Sequence, residues 1–269
     1  MSKQISKKHH FIPQFYIKGF SDQNSDVFLF NKEYKTIGKS PKKPSQIFYE
    51  HDLYTLNQSG ETSLLIEDSY GQLENMFAKV VLKLEECSNE SLSELLNMKE
   101  FSNFLIMMMS VQYWRNPNQT IKANILAADL VNIYEQSLEK NREVIPFTRK
   151  DIKFYKKKCK NKAMQKFIQF FVLPVITFKF HPEQLKGFSF LVSEPGNDFL
   201  CSDNPVIIDS IDAEFNFEGG AFFPISKTYA LSNKKFQGMG EVDELLLLNA
   251  KKKVIGSSKE RLQSLLKLL

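Results

Sequence analysis

The chain has 269 residues, 42 % hydrophobic and 25 % charged, a balance that supports a packed core and excludes a disordered or fibrous protein. Cys87, Cys159 and Cys201 are odd in number, far apart and without Cys-x-x-Cys spacing, so they indicate neither a disulfide framework nor a thiolate zinc site, and a cytoplasmic location is expected. The formal charge of +5 leans toward polyanionic partners, while the absence of an apolar core behind MSKQISKKHH and of any span-length apolar run leads us to expect neither a secretory signal nor a membrane helix.

The opening stretch, KKHHFIPQFYIKGF, sets adjacent His9 and His10 beside a proline and an aromatic run. Imidazole is the side chain best suited to hold a metal or move protons near neutral pH. Pro13 suits the first turn of a helix, which predicts that both histidines lie just before a helix start, where free backbone donors favour anions. Next, VFLFNKEYKTIG alternates in apolar character around Asn31-Lys32-Glu33 and predicts a β-hairpin. IFYEHDLYTL reads as an irregular segment running into a short strand, and residues 57–60 as a loop.

From Thr62 the period becomes helical. Leu65, Tyr70, Leu73, Phe77, Val80 and Leu84 predict a long amphipathic helix over residues 63–86, on which Glu67 and Glu74, seven positions apart, share one stripe at the border of the apolar face. Carboxylates so placed can bind a divalent ion or act as acid and base; they can equally be ordinary surface. A second helix is predicted over 98–115, stopped by Asn116-Pro117. Arg115, at its end, meets the negative helix terminus and could clamp a phosphate with its planar fork. A third helix is predicted over 119–140, and one or two more follow. Residues 150–166 carry eight lysines against one aspartate, so Lys156, Lys157 and Lys158 are candidate contacts to nucleic acid, or simply a solvated face.

Past Pro174, GFSFLVSE, DFLCSDNPVIID and AFFPISKTYALS predict three or four strands with short turns. Within Cys201-Ser202-Asp203-Asn204-Pro205, Asp203 is a candidate metal ligand or general base and Asn204 an orienting amide; a self-bonded Asx turn is the alternative. The final segment, EVDELLLLNAKKKVIGSSKERLQSLLKLL, predicts two helices separated by Gly256, with Ser257 or Ser258 as N-cap. The fold class expected is α+β in one domain. Residues 1–60 form a β-containing cap, 61–174 a central helical bundle and 175–269 strands and C-terminal helices, with a small mixed or antiparallel sheet shared by the two ends. No Gly-rich phosphate loop, dinucleotide fingerprint or His-Glu-x-x-His element occurs, which sets aside the common NTPases, dehydrogenases and zinc proteases.

Taken in order, KKHHFIPQFYIKGF, VFLFNKE, HDLYTL, IEDSYGQLE, QYWRNP, CSDNPV and FPISKTYAL resemble a mostly bacterial domain-of-unknown-function family with an N-terminal His-His-x-x-Pro signature and a late Ser-Asp-Asn-Pro. The likeness runs from Lys7 to about Ala250. Cys201 stands where that pattern has threonine, which argues against a required hydroxyl there. The resemblance implies one domain and brings no established activity. Adjacent histidines also occur in metal nucleases of the His-Asn-His type, but the downstream asparagine and histidine spacing of that type is missing here, so the likeness is one of chemistry alone.

Polar motifs near both ends and on two central helices are what a composite pocket would need. The expected site is therefore His9, Glu67 and Glu74 holding a divalent metal ion, His10 or Asp203 activating water beside Asn204, and Arg115 with the lysines steadying substrate. That set predicts a metal-dependent hydrolase of nucleic acid or another phosphodiester, such as an antiphage effector. The rival is a non-catalytic binding protein whose histidine and aspartate motifs are struts. A third possibility is histidine acid–base chemistry without metal.

Overall fold

The structure is a computed structural model that describes residues 7–58, 61–88, 91–208 and 220–269. Strand β1 (Lys8–His10) leads through Pro13 into the short helix α1 (Gln14–Lys18). The two histidines thus sit on a strand close before a helix. The expected hairpin is β2 (Phe28–Asn31) and β3 (Thr36–Ile37). Strand β4 (Tyr49–His51) returns antiparallel to β1 and places Glu50 opposite His9. Where a loop was expected near residue 57, β5 (Leu56–Gln58) and β6 (Glu61–Ser63) pair as a hairpin; residues 59 and 60 lie outside the described residues.

Two long helices match expectation closely: α2 (Leu65–Glu86) and, after the short α3 (Leu92–Asn97), α4 (Lys99–Trp114). Helix α2 buries Ile66, Tyr70, Phe77, Val80 and Leu84 along one stripe. Helix α4 is different, because its buried residues run all round it and end on the fully buried Trp114, so it is the axis of the bundle. The helix expected over 119–140 is two helices, α5 (Thr120–Ala128) and α6 (Leu130–Asn141), broken at Asp129. There the backbone leaves the helical region (φ −110°, ψ 20°) and the Asp129 carboxylate accepts from the Asn132 amide, the local competition that makes Asp a poor helix-interior residue.

Helices α7 (Arg149–Lys158) and α8 (Lys162–Phe167) run on through a π-helical turn, Ile168–Val172, into α9 (Leu173–Ile176). Pro174 explains part of the irregularity: it has no N–H for the carbonyl of Phe170 four residues back. The Tyr70 hydroxyl on α2 donates to that carbonyl instead (2.7 Å). The wide turn is therefore tied to the neighbouring helix.

The C-terminal strands are β7 (Ser189–Val192), β8 (Cys201–Ser202), β9 (Ile207–Ile208), β10 (Ala221–Pro224), β11 (Tyr229–Ser232) and β12 (Lys253–Gly256). Between β11 and β12 runs α10 (Met239–Asn249), and α11 (Lys259–Leu266) closes the chain, capped by the Ser258 hydroxyl accepting from the Arg261 N–H. One antiparallel sheet has the order β7-β11-β10-β9; the other, β3-β2-β12-β8, joins both ends of the chain as expected. Strand β12 was hidden in KKKVIG, read as part of two helices. Its Val254 and Ile255 are fully buried between β2 and β8, and long-range pairing overrides the local lysine run. Because β8 and β9 belong to different sheets, Ser-Asp-Asn-Pro is the corner at which the chain crosses from one to the other.

Candidate functional site

Five of the residues singled out in the sequence line one cleft. His9 and His10 come from β1, Glu67 and Glu74 from α2, and Arg115 from the end of α4; Tyr54, Tyr70, Gln14, Lys8 and Gly71 complete a cavity of about 270 Å³. Alternation along β1 turns His9 inward, 2 % exposed, and leaves Lys8 exposed and His10 half-buried.

His9 is held at Nδ1 and has a carboxylate near Nε2. The Tyr54 backbone N–H donates to Nδ1 (2.8 Å), which places the ring proton on Nε2, and Nε2 lies 3.6 Å from the Glu67 Oε2. The ring also stacks on Tyr54, with centroids 5.3 Å apart and planes 10° from parallel. With Nδ1 accepting and Nε2 protonated, His9 has no lone pair left for a metal. It instead stands beside the Glu67 carboxylate, whose side chain is 34 % exposed in the cleft.

His10 is less constrained. Its Nε2 is buried and has no hydrogen-bond partner among the described residues. Burial lowers its pKa, the Arg115 charge adds to that, and the backbone of Ser45 and Pro44 and the Glu74 carboxylate offset it in part. The neutral imidazole is the form that results near pH 7.

Arg115 is 2 % exposed and its guanidinium fork is engaged on three sides. Nε donates to the Tyr54 hydroxyl (3.1 Å), Nη1 to Glu74 Oε1 (2.9 Å) and Nη2 to the His10 carbonyl (2.7 Å). The guanidinium carbon lies 4.7 Å from the Tyr70 ring centroid and 5.6 Å from that of Tyr54. Burial alone would lower its pKa, but the phenols of Tyr54 and Tyr70 and the Glu74 carboxylate raise it further, so the charge is permanent. Burial pushes the Tyr54 phenol up to about 12, with Arg115 opposing, and Tyr70 rises for the same first reason. Neither phenol is an acid at neutral pH. Arg115 is therefore a joint between β1, α2 and the Tyr54 loop, at the place where the sequence leads one to expect a group that steadies substrate.

Asp203 and Asn204 lie outside this cleft. The Asp203 carboxylate, 5 % exposed, accepts three backbone N–H groups: Lys251 on Oδ1 (2.8 Å), and Lys252 and Lys253 on Oδ2 (2.7 and 3.1 Å). Burial raises its pKa more than those donors lower it. The carboxylate thus shapes the turn between α10 and β12. Asn204 donates to the Asn249 carbonyl (3.3 Å), and its N–H donates to the Ser202 hydroxyl (3.1 Å). Both side chains bond the main chain, and neither residue lines the paired histidines' cavity, so the structure does not bring them together with the other expected site residues.

Asn116, which the sequence marked only as a helix stop, is fully buried, and its side-chain amide donates to the Asp203 carbonyl (2.6 Å). Adjacent residues at the end of α4 therefore hold the two signature motifs, Arg115 the His-His strand and Asn116 the Ser-Asp-Asn-Pro corner. Gln169, also buried, braces this end by donating to the carbonyls of Trp114 (3.0 Å) and Asn116 (3.1 Å).

The metal set was expected to be His9, Glu67 and Glu74. Among the described residues no group of three or more His, Cys, Asp or Glu side chains is placed to hold a metal ion. Glu74 is bound to Arg115 and His9 has no free lone pair, so this donor set does not fit a divalent cation. Lys156, Lys157 and Lys158 occupy the last turn of α7, exposed and outside the cleft's lining.

A family model described as a protein of unknown function (DUF4238) matches residues 8–238, and the chain belongs to that family. No curated protein and no solved structure matches the chain. The matched region contains the whole cleft and the Asp203 corner, and it ends just before α10. The backbone donors that hold Asp203 thus come from beyond it. Among the described residues no helix is long and apolar enough to cross a membrane.

Proposed function

We propose that the protein is a binding protein in which the His-His and Ser-Asp-Asn-Pro motifs are struts, and in which the cleft they brace holds a small polar ligand. The observation that supports this reading most is the Arg115 fork, whose donors are directed to Tyr54, Glu74 and the His10 carbonyl, so the cation a phosphodiesterase would direct at substrate is engaged internally. The Glu67 carboxylate, which lines the cavity beside His9, together with exposed Lys8 and Gln14 at the rim, supplies polar recognition. Gly71 gives a clean test: it lines the cleft in mid-helix, and a Cβ there would meet nothing within 4 Å. Gly71→Leu is expected to fill the cleft while stabilising α2 by up to about 1 kcal/mol through helix propensity. Thermal melting of wild type against nucleotides, amino acids and polyamines should give a ligand-induced shift that this variant and Glu67→Gln lose. Equal shifts in all three proteins would refute the reading.

One observation favours a second reading, hydrolysis of a phosphodiester: five residues from distant segments converge on one cleft, which two carboxylates line and in which the Nε2 of His10 has no hydrogen-bond partner among the described residues. In that reading Glu67, beside His9, is the base and His10 the second proton-transfer group; nucleic acid is the substrate class, and antiphage defence a setting for it. A nuclease assay on single- and double-stranded DNA and RNA, with and without chelator and added Mg²⁺, separates the two. Activity lost in His10→Ala with folding retained supports hydrolysis, and chelator sensitivity would reinstate a metal. No activity in wild type leaves the binding reading standing.

A further inference from the structure

We propose that the exposed face of α7 is a docking surface for single-stranded nucleic acid. Lys150, Lys153, Lys156 and Lys157 fall within roughly a third of the helix circumference and spread over about 10 Å of its length. Ile152, the helix's buried residue, lies just outside that arc, one turn before Lys156. Of the two neighbouring carboxylates, Asp151 offsets charge only at the Lys150 end of this stripe. Asp151 accepts from the N–H and hydroxyl of Thr148 as part of a capping box, and Glu135 is paired with Arg149 (2.6 Å). Among the described residues the side chains of Lys153, Lys156 and Lys157 make no ion pair and no hydrogen bond. Lys150 stands beside the Asp151 carboxylate, and the three further ammonium groups on the same exposed face, which have no ion-pair partner among the described residues, suit a chain of phosphates.

Phe154 adds the feature that separates a single strand from a duplex or a simple counterion layer. It is 52 % exposed at the edge of the stripe, one position from Lys153 and three from Lys157, and its ring rests edge-on to Tyr155 at 6.1 Å. An exposed aromatic beside a basic track offers a stacking platform for an unpaired base, and stacking tolerates any sequence. Burying that ring under a base also removes apolar surface from water. The surface is separate from the β1–α2 cleft, so the proposal stands or falls independently of what the cleft does.

The test is fluorescence anisotropy of the full chain with labelled poly(dT) and poly(U) oligonucleotides and the matching duplexes. Four phosphate contacts should give a log–log salt slope of about −3, roughly a 50-fold loss of affinity between 50 and 200 mM salt. Changing Lys150, Lys153, Lys156 and Lys157 together to Gln is expected to lower affinity at least tenfold. Phe154→Ala should weaken the single strands about tenfold and the duplexes hardly at all. These positions are exposed, and unchanged melting curves would verify that the variants fold. Absence of oligonucleotide binding, binding indifferent to the four lysine changes, or equal loss on single strands and duplexes in Phe154→Ala would overturn the proposal. So would lysine-dependent binding to phosphatidylserine vesicles with none to oligonucleotides, which would make the face a membrane surface.

Discussion

At the scale of the residue, the side chains that look most chemical are those most engaged with main chain. A carboxylate that accepts three backbone N–H groups in a buried turn cannot be replaced by methyl without stranding those donors. Asp203→Ala is therefore expected to lower unfolding free energy by about 2–4 kcal/mol in urea titration, with Asp203→Asn losing less because it keeps one acceptor. His10 gives the pH dependence. Its folded pKa lies below 6.5 because burial disfavours the imidazolium, so the unfolded chain binds the proton more readily. Its contribution to stability is complete above pH 6.5 and is lost as pH falls through the folded value. Melting temperatures measured from pH 7.5 down to 5.5 should fall for wild type and fall less for His10→Gln. Parallel curves would show that His10 is not the group responsible.

At the scale of the element, the helix periods of α2 and α4 were legible because an apolar stripe and an Asn-Pro stop are local signals. The i, i+7 relation of Glu67 and Glu74 followed from the same period, which is why their shared cleft could be anticipated. What stayed illegible depends on partners distant in sequence. The role of Asp203 is set by main-chain N–H groups about fifty residues later, which leave no side-chain signature. Strand β12 is concealed by its lysines, and Asn116 reads as a stop although its amide reaches across to Asp203. The π-helical turn is another long-range effect. Pro174 frees the Phe170 carbonyl and Tyr70 satisfies it from a different helix, so Tyr70→Phe should leave a buried acceptor unpaired and destabilise the protein by about 1–2 kcal/mol. Unfolding free energies within 0.3 kcal/mol of each other would mean that water replaces the hydroxyl.

At the scale of the whole molecule, two antiparallel sheets and a helical bundle meet at one point, the C-terminal end of α4. The His-His strand reaches that point through the His10 carbonyl on Arg115, and the corner between the sheets reaches it through the Asp203 carbonyl on Asn116. Motifs far apart in sequence belong together in this fold because the two consecutive residues that follow α4 hold them. The α+β class and the sheet shared by both ends were readable from strand-like segments flanking a helical middle. The meeting point was not, since it consists of side chains bonding carbonyls. Urea unfolding of Arg115→Met tests this account most directly: removing the buried fork leaves Glu74 without its cation, the Tyr54 oxygen without a donor and the His10 carbonyl with only the Tyr54 hydroxyl (3.1 Å), and the expected result is one cooperative transition weakened by about 3–5 kcal/mol. A variant as stable as wild type, with only events in the cleft altered, would contradict it and return Arg115 to the role of a ligand contact.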